Sequence, residues 1–206
     1  MPPSASSCAV ILAAGQSTRM GRDKALLPWP PASNGTFLSE AIRALSPVND
    51  MVIVVAGKNL DAIAPVAYSN GAVLVENPDP ERGQFSSLRI GLQEVLNRGR
   101  DAAMVTLVDR PPVTSNTLER LRNAFELASS NGKWAVVPES GGKHGHPFII
   151  GREMIEAFLR APAESTAREV EHRNQQHIEY VPVVDPFVTL NVDTPEQYAA
   201  LAGATR

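Results

Sequence analysis

The apolar run Ala9-Val10-Ile11-Leu12 breaks off into the small, polar stretch Ala13-Ala14-Gly15-Gln16-Ser17. Three cations then follow within six positions: Arg19, Arg22 and Lys24. A short apolar run ending in Gly and Ser reads as a buried strand feeding a tight turn. Small side chains let a ligand lie against the backbone, and free N–H groups in such a turn can cradle phosphate oxygens. Arginine offers a planar fork for two phosphate oxygens, while lysine is a compact point charge. Strand, small-residue turn and clustered cations together describe a triphosphate site. The plain alternative is an ordinary strand-to-helix loop with a solvated charge cluster.

Spacing excludes two familiar phosphate loops. A Walker A loop requires G-x-x-x-x-G-K-[ST], whereas Gly15 and Gly21 enclose five residues and Lys24 comes three later. A dinucleotide fingerprint requires G-x-G-x-x-G, which is not present here.

Downstream the chain alternates strand-like and helix-like pieces, the pattern of a layered α/β fold. Apolar runs predict strands over 51–55, 72–75, 102–108, 134–138 and 178–184. Helical stripes are expected around 37–45, over 60–67 (weakened by Pro65), from 88 to 96, over 116–129 with Asn116 as cap, and over 154–159 and 163–173. At 206 residues one domain is the default.

Four later stretches carry candidate chemistry. In Arg82-Gly83-Gln84-Phe85-Ser86-Ser87-Leu88, Ser86 or Ser87 can cap the helix that follows, and the amide and hydroxyls suit the edge of a base. Asp109 ends a strand and is followed by Arg110-Pro111-Pro112, which cannot continue a central strand. A carboxylate at that edge can hold Mg²⁺, although a turn-forming Asp is equally ordinary. His144 and His146 lie in a Gly-rich loop, where solvated imidazoles are the plain reading. Thr194, Pro195 and Gln197 form a strong helix start, and the preceding Asp193 could merely assist it through the helix dipole.

The long pattern Leu12-Ala13-Ala14-Gly15-x-Ser17-x-Arg19-Met20-Gly21-x-x-Lys24 resembles the signature of nucleotidyltransferases, and most of all the MobA/MocA-like family of molybdenum-cofactor maturation. The likeness extends to residues 83–88, 109–112, 145–148 and 191–196. It implies a three-layer α/β sandwich, Rossmann-like and akin to nucleotide-diphospho-sugar transferases, with a mostly parallel mixed sheet. It implies nucleotide contacts from Leu12, Ala13, Ala14, Gly15 and Ser17, and base contacts from Gln84, Ser86 and Ser87. Asp109 and Asp193 are the implied Mg²⁺ ligands. Gly145-His146-Pro147 matches a tripeptide that places His146 near the acceptor. After residue 160 the family often carries Gly-Asp-x-Gly, whereas this chain reads Ala161-Pro162-Ala163-Glu164-Ser165.

The implied reaction is attack of an acceptor phosphate on the α-phosphorus of a nucleoside triphosphate, with pyrophosphate leaving. Arg19 would hold the β- and γ-phosphates, Lys24 would meet charge on the α-phosphate, and Asp109 would act through Mg²⁺. Cytidylyltransferases of the family read L-A-A-G, as this loop does, which points to CTP and molybdopterin, with a molybdoenzyme as a possible delivery partner. Guanylyl transfer to the same cofactor, a sugar- or alditol-phosphate nucleotidyltransferase, and a non-catalytic nucleotide-binding module are the rivals.

Composition sets the remaining bounds. A net charge of −3 argues against a nucleic-acid or anionic-membrane surface. The single cysteine, Cys8, permits no intrachain disulfide. Residues 1–7 are Pro/Ser-rich without a signal-peptide pattern, and are expected to be disordered. No apolar stretch approaches a membrane span, so a cytoplasmic protein is expected.

Overall fold

A computed structural model describes residues 6–204. Of the segment expected to be disordered, residues 1–5 lie outside that range, whereas Ser7 already belongs to the first strand, β1 (Ser7–Leu12). The chain continues through α1 (Phe37–Leu45), β2 (Met51–Ala56), α2 (Leu60–Ser69), β3 (Val73–Glu76), α3 (Gln84–Asn97), β4 (Ala102–Leu107) and α4 (Ser115–Ser130). It closes with β5 (Ala135–Ser140), β6 (Lys143–His144), β7 (Phe148–Gly151), α5 (Arg152–Arg160), α6 (Ala167–Arg173), β8 (Ile178–Pro182) and α7 (Pro195–Ala204).

The strands form one mixed sheet in the order β3-β2-β1-β4-β7-β5-β6, with β8 also paired to β5. Strands β3, β2, β1 and β4 run parallel, β7 is antiparallel to both β4 and β5, and β8 is parallel to β5. Alternation along β1 divides the two faces. Ala9 and Ile11 pack with α1, α2 and α4 through residues such as Ile42, Ile63 and Leu121. Val10 and Leu12 pack with α3 and α5 through Leu92, Val95 and Phe158. Helices on both faces make three layers, as the resemblance implied. No helix among the described residues is long and apolar enough to cross a membrane.

Several local expectations shift. Helix α2 runs past Pro65 to Ser69, carrying the proline inside it. Helix α4 starts one residue before the expected cap: Thr114, not Asn116, caps it, its hydroxyl accepting from the Thr117 N–H. Helix α3 begins at Gln84, so Ser86 and Ser87 lie in its first turn rather than at its cap. Their hydroxyls are engaged elsewhere, as described below. The start of α7 is as read from the sequence: the Gln197 side chain accepts from the Thr194 N–H, and the Thr194 hydroxyl accepts from the Gln197 N–H.

A third, small apolar cluster joins distant parts of the chain. Met20, Leu27, Trp29 and Phe37 pack on Val192, with Phe187, Tyr198 and Leu201 against them. The Tyr198 hydroxyl also donates to the Pro28 carbonyl at 2.7 Å. This cluster brings the segment after β1 up to the segment before α7.

Helix α3 crosses the sheet at Gly91, where an added methyl would lie 2.6 Å from Val10 Cγ1 and 3.0 Å from Val55 Cγ2. Replacing glycine by alanine inside a helix usually gains about 1 kcal/mol, but overpacking a filled core costs about 1–3 kcal/mol. Gly91→Ala should therefore lower the urea midpoint without changing the slope. A raised midpoint would mean that Val10 and Val55 yield freely.

Candidate functional site

Strand β1 carries Leu12 to the carboxyl edge of the sheet, where ligands bind in folds of this kind. The parallel pairing continues one residue further, with the Ala13 N–H donating to the Val55 carbonyl at 2.8 Å. The Ala13 carbonyl accepts from Asn59 Nδ2 at 2.9 Å, and the same nitrogen donates to Asp23 Oδ2 at 2.6 Å. Asn59 Oδ1 accepts from the Gly57 N–H. Both protons and the oxygen of this amide are thus engaged in tying the two ends of the loop to the segment that follows β2. Asp23 in turn accepts from the Ala25 N–H, capping a short turn over Lys24–Leu26. At Gly57 a side chain would meet the Ala14 carbonyl oxygen at 2.8 Å, so the loop can pass there only over a glycine.

Ser17 adopts a left-handed backbone, φ 51°, uncommon for a residue with a side chain. Its hydroxyl accepts from the Lys24 N–H at 3.1 Å, closing the loop on itself. The Lys24 side chain is thereby sent inward, 10% exposed. Its Nζ donates to Asp109 Oδ2 at 3.0 Å and to Asp193 Oδ1 at 2.7 Å. Asn191 Nδ2 supports the other oxygen of Asp193 at 3.1 Å. The Arg19 guanidinium, largely exposed, lies 3.2 Å from Asp193. The hydrogen bond from Lys24, above all, holds the Asp193 carboxyl below the usual carboxylate range.

Two cations thus face two carboxylates. One carboxylate oxygen is left over: Asp109 Oδ1 is buried and has no hydrogen-bond partner. An orphaned anionic oxygen at the edge of a cleft is suited to a cation. Among the described residues no three His, Cys, Asp or Glu side chains converge. A pair of carboxylates is nonetheless the donor set that Mg²⁺ commonly takes, the remaining positions falling to water and phosphate oxygens. The residues present fit such an ion.

Beside these charges opens a cleft of about 260 Å³, walled by Leu12, Ala14, Gly15 and Ser17 on one side and Leu107, Val108 and Asp109 on another. Its far end is closed by Pro80, Gly83, Gln84 and Ser87. A buried asparagine, Asn77, organises that end. Its Nδ2 donates to Ser86 Oγ and to Ser87 Oγ, both at 2.9 Å, and its Oδ1 accepts from the Asp79 N–H at 3.0 Å.

Most sequence-selected residues meet at this cleft: Leu12, Ala14, Gly15, Ser17, Lys24, Gln84, Ser87 and Asp109 line it, and Asp193 joins through Lys24. Besides Asp193, four do not line it. Ala13 is buried and spends its backbone groups on β2 and Asn59. Ser86 accepts from Asn77 and donates to the Gly83 carbonyl. Arg19 lies outside, against Asp193. His146 lines a separate cavity of only about 20 Å³ beneath the loop that follows β4, with Arg110, Pro111 and Pro112. Its backbone N–H donates to the Val188 carbonyl at 2.9 Å, and its ring Nδ1 is sealed without a partner. Burial and the nearby Arg110 guanidinium hold that imidazole neutral. His144 points elsewhere, stacked on Tyr180 with ring centroids 4.1 Å apart. Asn59 and Asn77 were not singled out from the sequence. Each follows a strand, where asparagine signals no more than a turn.

Residues 9–181 match the MobA-like NTP transferase domain. The molybdenum cofactor cytidylyltransferase of Escherichia coli K12 is 24% identical over 190 residues, covering 92% of each chain. The molybdenum cofactor guanylyltransferase of Rhodobacter capsulatus is 32% identical over 196 residues, again covering 92% of each. Among solved structures, the manganese complex of Rv0371C from Mycobacterium tuberculosis H37Rv superposes with a TM-score of 0.75 at 25% identity, over 97% of this chain and 99% of that one.

Lys24→Met should raise the Asp193 pKa, because the Lys24 ammonium in contact holds that carboxyl down and its loss leaves Asp109 as a like-charged neighbour. Carboxyl-carbon NMR titration reads this directly. A depressed carboxyl contributes stability above its unfolded pKa, and that contribution is lost as pH falls through the folded value. The wild type should therefore show a low-pH loss of stability that Lys24→Met does not. An unchanged Asp193 titration would contradict the bridge.

Proposed function

The chain belongs to the MobA-like NTP transferase family, and on that premise we propose that it transfers the cytidylyl group of CTP to the phosphate of molybdopterin or its molybdenum form, releasing pyrophosphate. The observation that carries the reading is the Lys24 ammonium held between Asp109 and Asp193 at the mouth of a cleft floored by small residues.

In this reading the triphosphate lies over Ala14, Gly15 and Ser17, with Arg19 swinging from the surface onto the β- and γ-phosphates. An oxygen of the acceptor phosphate forms a bond to the α-phosphorus, and the bond from that phosphorus to the β-bridging oxygen breaks. The acceptor is already an anion, so no general base is assigned. The protein contributes position and charge neutralisation. Lys24, fixed by its turn and by two carboxylates, meets the charge that grows on the α-phosphate oxygens. Asp109 and Asp193 would hold Mg²⁺, which when bound screens the phosphate charges. Binding of manganese by the Mycobacterium tuberculosis relative supports a divalent ion of this kind.

The choice of CTP rests on Ala14. Ala14 lines the cleft, where the glycine of a guanylyl-type loop would leave more room for a purine. Such a steric difference is worth about 1–3 kcal/mol. A guanylyl reading is favoured by one observation, the 32% identity to the Rhodobacter capsulatus guanylyltransferase. The acceptor assignment follows the named activity of both relatives.

Pyrophosphate release should be measured with each of CTP, GTP, ATP and UTP, with and without molybdopterin, in Mg²⁺ and again in EDTA. The expected result is release with CTP plus the pterin, abolished by EDTA. Preference for GTP would move the protein to the guanylyl branch, and full activity in EDTA would overturn the metal role of both aspartates. No release with any nucleotide and acceptor would overturn the enzymatic reading.

A further inference from the structure

The base end of the cleft has a direction built into its hydrogen bonds. Asn77 is 2% exposed, and the orientation of its amide is fixed from outside: Oδ1 faces the Asp79 N–H, a donor, so Nδ2 must be the atom facing the two serines. An amide nitrogen donates and cannot accept. Both of its protons are used, one on Ser86 Oγ and one on Ser87 Oγ. Ser86 passes its own proton to the Gly83 carbonyl at 2.8 Å. Ser87 is different. Among the described residues its hydroxyl has no partner but Asn77, and the residue lines the cleft. With an oxygen lone pair taken by Asn77, the proton left over has only the cleft to turn to.

We propose that Ser87, already implied as a base contact, meets the nucleobase as a hydrogen-bond donor, and that Asn77 is the positioning residue that fixes this direction and with it the choice of base. This rests on reading the cleft as a nucleotide site. The site then favours a base that offers a carbonyl oxygen or unprotonated ring nitrogen to Ser87. It discriminates against one that offers an N–H there, since two donors would face each other in a buried place. The buried asparagine is the element that makes the choice, although it never touches the ligand.

Asn77→Asp reverses the direction with little change of shape. A carboxylate can only accept, so it can still satisfy the Asp79 N–H while taking the protons of Ser86 and Ser87. Ser87 would then turn a lone pair into the cleft. Ser87→Ala removes the donor without supplying an acceptor. Dissociation constants of the Mg²⁺ complexes of CTP, GTP, ATP and UTP, measured by calorimetry without acceptor, read the effect. Steady-state kinetics with the preferred nucleotide accompany them.

Both variants should weaken the nucleotide that the wild type prefers, about tenfold in Ser87→Ala and more in Asn77→Asp. The ranking of the four should change, with KM rising and kcat nearly unchanged. Asn77→Asp should also narrow the gap to nucleotides that present an N–H. Circular dichroism establishes that each variant is folded; if Asn77→Asp is not, Ser87→Ala carries the test alone. Equal weakening of all four nucleotides, or none, overturns the proposal while the nucleotide reading stands. A wild type that binds none of the four overturns both.

Discussion

The ion pairs of Lys24 with Asp109 and Asp193 join three pieces of chain that are far apart in sequence, separated by 85 and 169 residues. A lysine this enclosed is costly to bury unless its charge is met, and two carboxylates meet it. Each comes from a structurally fixed place. Asp109 follows β4, whose continuation the prolines at 111 and 112 prevent, and Asp193 precedes a helix start closed by Thr194 and Gln197. The small cluster of Met20, Leu27, Trp29, Phe37 and Val192 supplies the apolar burial that holds the lysine segment against the second aspartate. Charge and packing therefore specify the same convergence. The protein has two cations facing two carboxylates before any ligand arrives, and a triphosphate would add negative charge for Lys24, Arg19 and a divalent ion to meet.

Two asparagines do comparable work at the two ends of the cleft. Asn59 ties the loop after β1 to β2 and to Asp23, so that the small-residue floor and the lysine are held by one amide. Asn77 ties the first turn of α3 to the chain after β3. In both cases a fully satisfied side-chain amide converts a loop into a fixed wall, which a site acting by position requires.

Much of this was legible in the sequence, for physical reasons. Buried strands in a largely parallel sheet are apolar runs, so the alternation of runs and stripes read as a layered α/β fold. The three-layer arrangement came from the resemblance, and the order of strands in the sheet was not legible. The cleft residues of the first loop and Asp109 were legible because small residues, prolines and strand ends carry strong local geometry. Long-range hydrogen bonds were not. Ser86 and Ser87 read as helix caps because serine before an apolar stripe ordinarily is one, and nothing local reveals that Asn77 takes both hydroxyls. Asn116 read as a cap because Glu119 stands three residues on, but Thr114, two residues earlier, takes the role. His146 read as a residue near the acceptor from the likeness of the tripeptide around it. Its contact with Val188, 42 positions onward, draws it beneath the loop after β4.

The account depends on Asp109 and Asp193 forming a cation site that a nucleotide completes. Titration with Mn²⁺ followed by electron paramagnetic resonance, with CTP present, tests it most directly. The predicted result is one ion bound per chain, with affinity lost by about tenfold or more in both Asp109→Asn and Asp193→Asn, the scale on which altered metal ligation is felt. Undiminished binding in both variants would contradict the account.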